Sequence, residues 1–125
     1  MTASDVLIEI GRFVIGAYFL VAGVRNVSNF ALHTGILAAK KMPQPGLVLA
    51  AALVMQIGGG ALVALNVWPV FGAAALIVFT ACATVLYHDF WNYAGPERVQ
   101  HTNAWMTNGA VIGALLLVIG LALQI

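Results

Sequence analysis

Residues 47–87 read LVLAAALVMQIGGGALVALNVWPVFGAAALIVFTACATVLY and hold two long apolar runs, 47–65 and 70–87, separated by Asn66-Val67-Trp68-Pro69. As α-helices these runs would be roughly 27–29 Å long, because the rise is about 1.5 Å per residue. That length matches a bilayer hydrocarbon core of about 30 Å. Pro69 is harmless at a helix start, where its missing N–H would have no partner. The segment therefore predicts two antiparallel transmembrane helices joined by a tight turn.

Two further apolar runs, 6–24 and 106–123, flank this hairpin. Only 7% of the 125 residues are charged, 62% are hydrophobic, and mean hydropathy is +1.00. In lipid, a spanning segment of this length must satisfy its own backbone polar groups, which a helix does. We predict an all-α fold: an integral membrane four-helix bundle with short loops. It would form a single transmembrane domain over residues 1–125, with helices at about 5–25, 46–66, 69–90 and 103–124. Within the longest connection, 25–41, a short helix could lie along the membrane interface.

Charge and cysteine usage exclude several classes of protein. The net charge of +1 gives no basic surface for nucleic acid, so no nucleic-acid partner is expected. The single cysteine, Cys82, cannot form an intrachain disulfide, and we interpret it as a small buried residue. No basic residue precedes the first apolar run, so that run is interpreted as a retained helix and not as a secretory signal.

The basic residues outside the predicted spans indicate an orientation. They lie in the first and third loops, which share one side of the membrane: Arg25, Lys40, Lys41 and Arg98. Loops rich in Lys and Arg stay in the cytoplasm. The expected location is thus a bacterial inner membrane, crossed several times, with both termini outside the cytoplasm.

Three strongly polar residues fall inside the first two predicted spanning runs, 6–24 and 47–65. Glu9 and Arg12 are spaced i,i+3 on the first helix, so they share a face, and Gln56 lies about midway along the second. A charge near the bilayer centre costs at least about 2.5–3.5 kcal/mol, which favours an interior position. One interpretation is a structural ion pair that holds the first two spanning helices together. The other is a polar pocket for a ligand carbonyl or a proton.

A denser polar cluster surrounds the third loop. We take six residues there as candidate ligand-binding residues: His88, Asp89, Trp91, His101, Asn103 and Asn108. They come from the facing ends of two helices joined by a short connection, so several should share one space. The alternatives are an aromatic belt at the headgroup level and a metal or haem site. No HxxxH, HExxH or CxxCH spacing supports a metal, so none is assigned. No catalytic residue is assigned either.

Small residues recur in three of the predicted helices. Gly109 and Gly113 form a GxxxG spacing, and Gly58-Gly59-Gly60 and Gly72 are similar patches. Such residues let helices approach closely in lipid. Tight packing within one bundle is the first interpretation and a dimer seam the alternative. Because the glycines offer more contact surface than one bundle needs, we predict a homo-oligomer or a larger complex.

The order of these motifs resembles the DoxX family of small four-helix membrane proteins. The stretch from Arg12 to Gly23 is similar to the family's Arg…Gly…Phe…Ala-Gly pattern, and the stretch from Gln56 to Leu62 to its Glu-x-x-Gly-Gly segment. His88-Asp89-Phe90-Trp91, followed by residues 103–108, resembles a His-x-Phe-Trp…Phe-x-Lys-Asn signature. The resemblance extends over nearly the whole chain. Gln56 stands where the family pattern has an acidic residue, and Thr107 stands where it has a lysine. Both departures from the pattern remove a charge.

The resemblance implies a place in membrane redox systems, such as quinol or thiosulfate oxidation and complexes of oxidoreductases. No flavin, nicotinamide or iron–sulfur fingerprint occurs, which disfavours an enzyme that carries such a cofactor itself. We therefore expect an accessory or anchoring subunit, more a non-catalytic membrane subunit than an enzyme by itself, with a quinone as the candidate ligand. Its expected partners are the lipid bilayer, copies of itself or other redox subunits. The alternative is a small-molecule carrier or channel-like protein acting as an oligomer, since four helices alone leave little room for alternating access.

Overall fold

The computed structural model describes residues 1–124, which contain five α-helices, one 3-10 turn and no strand. The helices are α1 (Ala3–Ser28), α2 (Phe30–Ala39), α3 (Pro45–Leu65), α4 (Pro69–Tyr87) and α5 (Gly95–Leu123), and the turn is Phe90–Asn92. All but α2 are long and apolar enough to cross a membrane. The predicted all-α membrane bundle is therefore confirmed, and the chain is a multi-pass membrane protein.

Local sequence signals set the helix ends. Thr2 and Asp5 form a capping box before α1, with the Thr2 hydroxyl accepting from the Asp5 amide and the Asp5 carboxylate accepting from the Thr2 amide. Asn66 closes α3 in the left-handed conformation, at φ 56°. The last helix differs from the expectation, because it begins at Gly95 and not near residue 103. Pro96 lies in its first turn, where proline starts a helix well.

Glycines set the spacing of α1, α3 and α4. A Cβ added to Gly60 would lie 2.8 Å from the Gly16 carbonyl oxygen and 2.9 Å from the Leu20 amide nitrogen. One added to Gly59 would lie 2.9 Å from the Gly72 carbonyl oxygen. These backbones therefore touch directly, which only glycine permits. The buried core that they surround takes residues from all four spanning helices: Phe19, Val63, Ala73, Leu76, Leu115 and Val118.

The glycines of α5 do not take part in this packing. Nothing lies within 4 Å of a Cβ built on Gly109, Gly113 or Gly120, and the same holds for Gly58 of α3. For Gly109 and Gly113 the expected packing within one bundle is therefore wrong. Their GxxxG face points away from the helices that α5 contacts, which pack on Leu115 and Val118 instead.

The short helix α2 lies across one end of the α3–α4 pair. Its Leu37 is buried against Leu49 and Leu53, and Leu86 and Tyr87 pack on the same cluster. A helix does form in the loop 25–41, as predicted. It covers the ends of two spanning helices, and this position creates the candidate site.

The glycine contacts yield a stability prediction. Gly60→Ala should lower the free energy of unfolding by about 1–3 kcal/mol, the usual cost of overpacking, because the new methyl would meet backbone atoms of α1. Gly58→Ala is the matched control, since its Cβ would meet open space and alanine favours a helix by up to about 1 kcal/mol. Thermal unfolding in detergent compares the two variants. Equal melting temperatures would contradict the proposed role of Gly60.

Candidate functional site

An apolar groove of about 570 Å³ lies between α3 and α4, under α2. The two spanning helices are in close contact at Gly59 and Gly72 and leave room further along, where α2 covers them. The walls of the groove are mainly aliphatic. They include Leu49 and Met55 of α3 and Val78 of α4. This volume falls within the range of small-molecule pockets.

Four polar side chains line the groove towards α2: Asn26, His33, Tyr87 and His88. The rings of His33 and Tyr87 pack edge to face, with centroids 5.9 Å apart. Among residues 1–124, neither the Tyr87 hydroxyl nor the His33 ring is within hydrogen-bonding distance of a protein partner. These two groups can therefore bond to a molecule in the groove. Asn26 differs, because its amide already donates to Gln56 at 3.0 Å.

His88 connects the groove to α5. Its Nδ1 lies 3.0 Å from Nδ1 of His101, so one ring donates and the other accepts. Each Nε2 is left for another partner, and the pair can hold at most one additional proton while this contact lasts. Tyr93 stacks on His101 with centroids 4.3 Å apart, and the Trp105 indole donates to the His88 carbonyl. The predicted proximity of His88 and His101 is therefore present in the fold.

Asp89 points away from this pair. Its carboxylate lies 3.4 Å from the Lys40 ammonium, and it also accepts from the Asn92 amide at 2.8 Å. This is the only ion pair among residues 1–124. It ties the end of α2 to the turn after α4, so Asp89 helps to hold the cover over the groove. This contact could not be predicted from sequence, because Lys40 and Asp89 are 49 positions apart.

The remaining candidates do not converge on one space. Asn108 donates to the Thr84 hydroxyl at 2.8 Å, and that hydroxyl donates to the Thr80 carbonyl at 2.6 Å. This supplies the partner that a half-buried amide inside a membrane-spanning helix needs. Trp91 is half exposed and packs with Phe90 and Trp105, while Asn103 is exposed. Of the six candidates, only His88 lines the groove.

The expected cluster of Glu9, Arg12 and Gln56 does not form. Glu9 is exposed and makes no ion pair with Arg12 within residues 1–124. Gln56 packs beside Gly23 on α1, which is about 16 Å further along that helix than Arg12. The reason is register: Gly16 sits against Gly60, so antiparallel α3 brings Gln56 to the far end of α1. Arg12 lies instead in a separate cavity beside Asn66.

Cys82 also differs from the expectation. It is exposed and lines the groove, because α4 turns this side of its last turns towards the gap. The sequence reasoning also left His33 and Tyr87 out of the site. The sequence does place both residues at the same membrane side as His88. It does not show that α2 covers the groove, which is what brings His33 into the site. Within residues 1–124, no three His, Cys, Asp or Glu side chains are arranged to hold a metal ion.

Comparison with known families agrees with the resemblance. A family model described as DoxX matches residues 7–89, which is more than half of the chain. The match covers α1 to α4 and ends at Asp89, so His101, Asn103 and Asn108 lie outside it. The resemblance expected over nearly the whole chain is thus wider than the match. No curated protein and no solved structure matches the chain.

The Asn108–Thr84 contact yields a second prediction. Thr84→Val should destabilise the fold by roughly 1 kcal/mol, because it leaves the Asn108 amide without its acceptor. The double variant Thr84→Val/Asn108→Leu should recover part of this loss, since replacing both partners by apolar groups removes the unsatisfied group. Melting temperatures of the two single variants and the double variant form the cycle. Strictly additive losses would show that the two side chains do not interact.

Proposed function

We propose that this chain, which belongs to the DoxX family, is an accessory membrane subunit of a quinone-linked redox system and binds a quinone-type molecule in the groove under α2. The observation that carries this proposal is the groove itself. It combines aliphatic walls with unpaired hydrogen-bonding groups at one end. An amphiphilic ligand would match this arrangement, with its polar ring at the hydrogen-bonding end and its apolar tail along the aliphatic walls.

The chain's own residues suit a ring that carries carbonyl oxygens. The Tyr87 hydroxyl and the His33 ring can each donate one hydrogen bond, and His88 can donate from Nε2 when His101 supplies the proton between the two Nδ1 atoms. Leu49, Leu53 and the other aliphatic walls exclude water from the bound ring. A quinone, when bound, would supply the electron-accepting chemistry.

The two histidines also offer a route for a proton. Imidazole nitrogens can both accept and donate a proton, and the His88–His101 contact joins the groove to the side of α5 where His101 stacks on Tyr93. A proton could therefore pass between groove and surface along this pair. A proton route of this kind supports a role beside a redox partner. Native purification of the protein should recover that partner as a co-migrating oxidoreductase.

A carrier or channel role is the rival function. The centre of the bundle is filled by side chains such as Leu76, Val63 and Leu115, each fully buried. A path through a single bundle is therefore closed, and transport would need a route between copies of the chain. The groove under α2, in contrast, is complete within one chain, so we prefer the accessory role.

Ligand binding is tested by thermal unfolding with a short-chain benzoquinone. The wild type should melt several degrees higher at saturating ligand, because binding only to the folded state stabilises it. Ala51→Phe should abolish this shift, since Ala51 lines the groove. Ala50→Phe is the matched control: Ala50 is also exposed, is the neighbouring residue and does not line the groove. His88→Ala should reduce the shift.

Two outcomes would contradict the quinone site. One is an equal shift in Ala51→Phe and Ala50→Phe, which would place binding elsewhere. The other is an equal shift with decylbenzene, which keeps an apolar tail and lacks carbonyl oxygens. The second result would show that the groove binds any apolar molecule and does not recognise the carbonyl oxygens of a quinone. If His88→Ala melts with the same ligand shift as the wild type, His88 does not contact the ligand.

The orientation remains part of the proposal. The start of α1, the end of α5 and the turn between α3 and α4 lie at one end of the bundle. The other end holds Arg25, Lys40, Lys41 and Arg98. The basic end is proposed to be cytoplasmic, in a bacterial inner membrane. A periplasmic reporter fused to the carboxyl terminus should be active, and one inserted between α2 and α3 should be silent. The reverse pattern would overturn the orientation.

A homo-oligomer is proposed through the free face of α5. Gly109 and Gly113 have open space around them, so large side chains should be tolerated by the monomer. Gly113→Leu should weaken self-association in nanodiscs without lowering the melting temperature. The control is Gly120→Leu, also with open space on α5 but outside this spacing. A wild-type protein that is monomeric in mild detergent and in nanodiscs would contradict the oligomer.

A further inference from the structure

A second cavity lies at the opposite end of the bundle from the groove. Its volume is about 540 Å³, and it separates the first turns of α1 from the last turns of α5, beside the turn between α3 and α4. The walls are largely aliphatic, from residues such as Ile8, Leu117 and Leu121. The proposed function does not use this cavity.

One cation lies in this apolar setting. Arg12 lines the cavity, and its Nε is buried without a hydrogen-bond partner among residues 1–124. No carboxylate of the described residues lies within ion-pair distance of it. Arg12 is about 14 Å along α1 from its first residue, well inside the apolar span. A guanidinium at this depth is costly unless an anion or several acceptors meet it.

The nearby acidic groups do not meet that need. The Asp5 carboxylate lines the same cavity, but it accepts the Thr2 amide at 3.0 Å in the capping box of α1. Glu9 is exposed and does not line the cavity. The other polar groups at the cavity are the amides of Asn66 and Gln124, which carry no charge. Arg12 therefore has no ion-pair partner among the described residues, while Asp5, about two helical turns away, keeps its negative charge in the first turn of α1.

We propose that this cavity binds an anionic phospholipid, with its phosphate on Arg12 and an acyl chain between α1 and α5. Guanidinium and phosphate match in charge and in fork geometry. The amides of Asn66 and Gln124 can donate to further oxygens of the headgroup. The aliphatic walls suit an acyl chain. The cavity lies between two membrane-spanning helices, so lipid of the surrounding bilayer can enter it. A bound lipid would also fill the gap between α1 and α5, which pack on α3 and α4 respectively and make little contact with each other.

Native mass spectrometry of the purified protein, in a neutral detergent, tests the proposal. Phosphatidylglycerol should bind at least tenfold more tightly than phosphatidylcholine to the wild type. Arg12→Gln should lose most of this preference. Arg25→Gln is the matched control, because Arg25 is an exposed arginine at the other end of the same helix and lines neither cavity. It should change the affinity less than threefold.

A second pair of variants tests the position without removing the charge. Leu117→Trp should fill the cavity and weaken phosphatidylglycerol binding about tenfold, whereas Leu116→Trp should not. Both leucines are exposed neighbours on α5, but only Leu117 lines the cavity. This pair decides the matter if Arg12→Gln fails to fold.

Three results would overturn the proposal. They are equal affinities for the two lipids, equal losses in Arg12→Gln and Arg25→Gln, and displacement of phosphatidylglycerol by millimolar inorganic phosphate. The last would show that the anion alone is recognised and not a lipid. None of these measurements depends on quinone binding, because Ala51 and His88 lie at the other end of the bundle.

Discussion

Direct backbone contact at glycines is the constraint on which the rest of the structure depends. Lipid is as apolar as leucine, so burial alone does not draw spanning helices together. Close approach does, and Gly16, Gly60, Gly59 and Gly72 bring α1, α3 and α4 to touching distance. This approach also fixes the antiparallel register of α1 on α3. Where α3 and α4 leave these contacts, space opens between them and forms the groove. The second cavity lies between α1 and α5, a pair that no glycine contact joins.

The sequence was sufficient for the architecture because membrane insertion leaves few options. Apolar runs of bilayer length, such as 47–65, predict spanning helices, and Pro69 and Gly95 are typical of their boundaries. The start of α5 was the main error, since the polar residues from Glu97 to Asn103 suggested a loop. They form exposed helical turns instead, because Pro96 begins a helix as readily outside lipid as inside it.

The site was only partly predictable, and the reason is helix register. His88 and His101 flank one short connection, so local reasoning was enough to bring them together. Gln56 and Arg12 belong to different helices, and their separation depends on which glycines meet. Composition does not determine that pairing. The same limit applies to Lys40 and Asp89, whose contact depends on where α2 lies.

Hydrogen-bond satisfaction separates most polar residues of the bundle into two groups; the buried Thr80 hydroxyl, which has no partner among the described residues and lines neither cavity, belongs to neither. Gln56, Asp89 and Asn108 all have protein partners: Asn26 links α1 to α3, Lys40 links the end of α2 to the turn after α4, and Thr84 links α4 to α5. These residues stabilise the bundle. Arg12, His33 and Tyr87 lack such partners within residues 1–124, and all three line a cavity. A membrane protein keeps an unpaired polar group in an apolar setting at a cost. We therefore place ligand recognition at the second group, with His88 as the residue that joins the two, since it both binds His101 and lines the groove.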